Sequence, residues 1–111
     1  HLIDAERVFA YRALRFARSD ATPLPGFDEN PYVTAGEFDR YPLSRLVDAF
    51  GTLRQGTIDL FEMLNDAAWE RRGLANGVSV SVRGLSYIIV GHERHHTGIL
   101  RRRLGVASPA V

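Results

Sequence analysis

The chain has 111 residues, 45% hydrophobic and 24% charged, with a formal net charge of +1, which bounds it to one domain around a single core and gives no electrostatic ground for a nucleic-acid partner. The absence of cysteine removes a disulfide framework and a thiol nucleophile, and leaves nitrogen and oxygen to ligate any metal. No apolar run approaches the roughly 20 residues of a membrane span and no secretory pattern opens the chain, so a soluble, cytoplasmic protein is expected.

Residues 1–18 read as an amphipathic helix, with Leu2, Phe9, Ala13 and Phe16 on one side at about 100° per residue. The helical rhythm is already present at His1, with no initiator Met and no capping residue in front. The expectation is therefore a domain that is N-terminally incomplete, lacking a preceding element. Residues 19–42 hold four of the five prolines and several turn formers, and are expected to be a long loop with short helical turns at most. Its Phe27, Tyr32, Phe38 and Tyr41 predict that it packs down onto the protein, and a loop of this length tends to be functional.

Residues 43–66 restore the helical spacing through Leu43, Leu46, Val47, Phe50, Leu53, Ile58, Phe61 and Leu64, with Pro42 and Ser44 at the start. Gly73 and Asn76-Gly77 break the pattern, with a brief extended piece expected over 78–82. The last helix is expected over 81–104, carrying Leu85, Ile88, Ile89, Ile99 and Leu104, stopped by Gly105, with a frayed tail at 107–111. Arg101, Arg102 and Arg103 favour the helix dipole at that end, as a solvated terminus or as an anion patch. Three long helices with a long loop between the first two make an all-α protein of the up-down four-helix-bundle type, with the first member missing.

Three of the four histidines fall in "GHERHH", residues 91–96. With His92 at 0° on a helical wheel, His96 falls at about 40°, Leu85 at about 20° and His95 at about −60°. His92 and His96 thus share the apolar stripe, and i, i+4 imidazoles can converge on one cation. Burying the pair without a cation or several hydrogen-bond partners costs about 1 to 3 kcal/mol per unpaired group. His1 is the only remaining histidine that could complete a three-histidine site, and an antiparallel bundle can bring it level with the middle of the last helix. The literal H-E-x-x-H match is a poor protease signature here. No downstream acidic or histidine ligand follows the motif, and Glu93 points about 100° away from His92, toward the flank.

"HLIDAERVFAYRALRFA", "PGFDENPYV" and "GLANGVSVSVRGLSYIIVGHERHHTGILRRRLGV" together resemble the DinB-like superfamily of metal-dependent four-helix-bundle proteins over essentially the whole chain. The motifs carrying the resemblance are a histidine opening the family's second helix and G-H-x-x-x-H on its fourth. It implies that His1, His92 and His96 bind a divalent transition metal, zinc or nickel, and that His95 does not. It also implies a thiol S-transferase or isomerase using a low-molecular-weight thiol cosubstrate.

On this reading the centre activates a bound thiol or water toward a small-molecule substrate. A non-catalytic metal-stabilised binding module and a metal-dependent hydrolase are the alternatives. Arg12, near the line of His1, either holds an anionic group of the cosubstrate or is a surface residue. Asp28 and Glu29 either orient a ligand histidine or cap a turn. His95 is placed to cap, orient or meet solvent, Tyr87 is expected to face away, and a homodimer through a bundle face is expected to be possible.

Overall fold

The computed structural model describes residues 1–107. Among these, five α-helices and one small sheet follow in the order α1 Leu2–Ala17, α2 Glu29–Gly36, α3 Leu43–Glu62, α4 Asp66–Glu70, β1 Arg72–Ala75, β2 Val78–Ser81 and α5 Val82–Leu104. The protein is mostly helical, as expected. The tail expected to fray lies, apart from Ala107, outside the described residues.

The core forms where α1 ends and α5 begins. Ala13, Phe16 and Ala17 of α1 bury against Val82 and Leu85 of α5, with Leu24, Ala68 and Ala75 closing the cluster. His1 meets His92 and His96 at the opposite end of α1, so α1 and α5 run antiparallel. α3 runs the same way as α1: Glu6 pairs with Arg54 and Thr57, while Leu60, Phe61 and Leu64 pack on the core near Phe16. The up-down alternation therefore holds between α3 and α5 but not between α1 and α3. The long connection between α1 and α3 permits this, because it can cross the length of the bundle where a tight turn would force reversal.

That connection is more ordered than a loop. Asp28 accepts a hydrogen bond from Asn30 N at 3.0 Å and caps α2, an eight-residue helix that tolerates Pro31 because it lies in the first turn. A 3₁₀ turn, Phe38–Arg40, follows. Upstream, Leu24 N donates to Leu74 O at 2.9 Å and Asn76 N to Leu24 O at 3.0 Å, so the loop is pinned to the sheet edge.

Two further boundaries differ from the sequence reading. The helix expected over 43–66 ends at Glu62, and Asn65, accepting from Ala68 N at 2.9 Å, starts the separate α4. The extended piece at 78–82 is one arm of a hairpin: β1 and β2 pair antiparallel with Ala75 opposite Val78. Asn76 and Gly77 both have positive φ, 53° and 74°, the requirement of a two-residue type I′ turn. Ser81 then accepts from Gly84 N at 2.9 Å to cap α5, and Gly105 at φ 65° ends it as expected.

Exposure corrects the expected apolar faces. Leu43, Val47 and Ile58 of α3 and Ile88 and Leu104 of α5 are exposed. On α5 the buried positions are Val82, Leu85 and Ile89, which centre the stripe toward His96 and away from Ile88. On α3 only Thr57 is buried, because α1 covers one edge of that helix.

Two predictions follow from this packing. A Cβ on Gly73 would lie 2.2 Å from the Phe16 ring, and Phe16, 1% exposed, has nowhere to move; Gly73→Ala is expected to cost about 1 to 3 kcal/mol in chemical denaturation. Gly56→Ala, in the interior of α3 with open space around it, is expected to stabilise by up to about 1 kcal/mol. Asp20, just after α1, accepts from Arg15 Nε and from Thr22 N, and these bonds, Arg15 first, lower its pKa from 3.8 to about 2. Its contribution is present above the unfolded pKa and lost as pH falls through the folded one. The Tm difference between wild type and Asp20→Asn should therefore be constant near neutral pH and close as pH falls from 3.8 to about 2.

Candidate metal centre

The first turn of α1 and the middle of α5 meet at three histidines. His1, His92 and His96 each offer a ring nitrogen, all within 4.8 Å of one another; His1 Nε2 and His92 Nε2 are 3.0 Å apart. The ring centroids are 4.9 Å apart for His1 and His92, 4.8 Å for His1 and His96 and 4.5 Å for His92 and His96. A tetrahedral cation about 2.0 to 2.1 Å from each nitrogen needs them roughly 3.3 Å apart. The observed nitrogen spacings, 3.0 Å for His1 and His92 and none above 4.8 Å, bracket that value, so the triad could hold a metal ion. All three are half-buried.

Burial and neighbouring charges favour the neutral form of the two α5 imidazoles, the form that ligates. The pKa of His92 is lowered, first by burial and then by neighbouring His96 and His95, with Glu29 opposing. His96 is lowered in the same way, first by burial and then by His95. Phe9 stands edge-on to His92 at 5.6 Å between centroids and covers the side of the site facing α1.

A charged network fixes α5 one residue from His92. Arg54 Nη2 donates to Glu6 Oε1 at 2.6 Å, its Nε to the same oxygen at 3.0 Å, and its Nη1 pairs with Glu93 Oε2 at 2.6 Å. Thr57 Oγ1 donates to Glu6 Oε2 at 2.9 Å. One guanidinium thus ties α1, α3 and α5 together, with its pKa raised mainly by the hydrogen bonds to Glu6. Glu93, the acidic residue of the H-E-x-x-H match, thus pairs with Arg54.

The other expected site residues separate. His95 is exposed, its ring 5.1 Å from that of His96 and outside the triad. Asp28 caps α2, the reading of that residue that needs no ligand. Glu29, in the first turn of α2, acts on His92 and His96 through its charge and makes no side-chain hydrogen bond to them among the described residues. Tyr87 faces solvent, as expected. Arg12 is not the surface residue that was one of its two readings: it is 9% exposed and donates to Pro25 O at 3.0 Å.

The model of the DinB superfamily matches residues 1–100, nearly the whole chain. The chain belongs to the DinB superfamily. No curated protein and no solved structure matches it significantly. The DinB match begins at His1 and includes all three histidines of the triad.

Sequence reasoning missed the Glu6–Arg54–Glu93 network and Phe9 as the lid of His92. A signal was available: Glu6 falls between Leu2 and Phe9 at i+4 and i−3, and Thr57 between Leu53 and Phe61, so both are polar residues in apolar rows. Glu6 is only 3% exposed. Arg54→Ala, which strands that carboxylate, is therefore expected to cost about 3 kcal/mol or more in chemical denaturation. Glu93→Gln, at the more exposed end of the network, should cost no more than about 1 kcal/mol.

Proposed function

We propose that His1, His92 and His96 hold a divalent transition metal, zinc or nickel, and that the centre belongs to an enzyme transferring or isomerising small molecules through a thiol cosubstrate. The observation that carries the metal reading is the convergence of three imidazoles, from His1 and from α5, within 4.8 Å. Three histidines leave a further coordination position for a substrate. When bound, the metal supplies Lewis acidity that lowers the pKa of a thiol or water.

The chain's own residues orient and shield. The α1–α5 packing sets His1 over the i, i+4 pair, the Arg54 network holds α5 in place at Glu93, and Phe9 keeps water from one side of His92. The half-buried triad leaves room for a small molecule to approach. Membership of the DinB superfamily supports the reading. Among the described residues no helix is long and apolar enough to cross a membrane, and a small diffusible substrate fits that.

A structural metal is the second reading, favoured by the way the triad joins residue 1 to α5. One experiment addresses both. Elemental analysis of protein purified without added metal should find about one transition metal per chain, as a single three-histidine site requires. His92→Ala and His96→Ala should each lose it. Retained helical circular dichroism in the metal-free variants supports a reactive site, and collapse supports a structural one. Wild-type protein that takes up no zinc or nickel at neutral pH would end the metal reading.

A further inference from the structure

α1 and residues 24–32 line an open concavity of about 320 Å³, with Arg7, Tyr11, Arg12, Phe27 and Tyr32 among its walls. Arg12 is its unusual member. It is buried to 9% exposure, yet among the described residues no carboxylate pairs with it. Its protein hydrogen bond is to the Pro25 carbonyl through Nη2. Burial lowers its pKa and no neighbouring acid raises it back, while the guanidinium stays protonated at any ordinary pH.

A buried cation without an anion is a costly arrangement. Two aromatic faces offset part of the cost, because the guanidinium carbon lies 5.9 Å from the centroids of both Phe9 and Phe27. None of its nitrogens is both buried and without a partner, so the donors not committed to Pro25 keep some exposure, and Arg12 lines the cleft. Arg7 adds a second positive charge at the exposed rim, and Phe27 with Tyr32, 5.2 Å between centroids, forms an apolar wall. A planar fork of unused donors beside aromatic walls suits a carboxylate carried on an apolar body.

We propose that this cleft binds a small organic acid, its carboxylate on Arg12 and its apolar portion against Phe27 and Tyr32. Phe9 touches both Arg12 and the His92 ring, so the acid site lies two aromatic contacts from the triad. The proposal stands apart from the metal reading, since nothing in it requires the triad to be loaded.

The test is an amide-resolved NMR titration of the protein as purified, at neutral pH, with 3-phenylpropionate and, separately, with its uncharged amide. The acid should give saturable shifts at Tyr11, Leu24, Gly26 and Phe27, and the amide should bind about tenfold or more weakly because it cannot engage the fork as an anion. Arg12→Gln should abolish the preference for the acid. The comparison of acid with amide on wild type needs no variant to fold. Equal binding of the two probes, shifts elsewhere on the protein, or no saturable shifts would overturn the proposal. Metal content measured on the same preparation separates the two readings. Acid binding by a chain that takes up no metal sinks the metal reading alone, and metal uptake without acid preference sinks this one alone.

Discussion

The close approach of α1 and α5 is the constraint from which the rest follows. Ala5, Ala13 and Ala17 are each 1% exposed, and side chains this small let two helices pack with their backbones near one another. At the α4 end the approach is filled by Phe16, Val82 and Leu85. Toward the other end the same register delivers His1 to His92 and His96. Bulk introduced on α1 at these alanines would push the helices apart and open the triad without touching a histidine.

The second requirement is that α3 be tied down where little apolar surface holds it. Arg54 does this through charge, reaching Glu6 on one side and Glu93 on the other. An ion network is directional where apolar contact is not, and it specifies the rotation of α5 next to His92. Its burial makes it most sensitive at Arg54, whose removal leaves the buried Glu6 carboxylate without its counterpart.

Much of this was legible in the residues. The i, i+4 spacing of His92 and His96 put both on one stripe, and the structure places them together with His1, while Gly105, Ser81 and Asp28 act as stops and caps at or beside the expected places. What escaped was what periodicity cannot carry. Asn76-Gly77 signalled a break, yet its stronger meaning was a two-residue hairpin, visible only when β1 is read as a partner for β2. α2 was hidden because its residues bury nothing and so leave no stripe. The burial of Arg12 depends on Pro25 and Phe27 folding back over α1, a long-range event that no helical wheel contains.

The triad joins His1 to His92, 91 residues apart along the chain. A cation gripped there would act as a reversible cross-link closing a very long loop, and the entropy of such a closure rises only slowly with length. The folded population would then follow the free metal concentration, gaining RT ln(1 + [M]/Kd) as metal saturates the site. The same three imidazoles would make this protein's lifetime a readout of the metal supply around it.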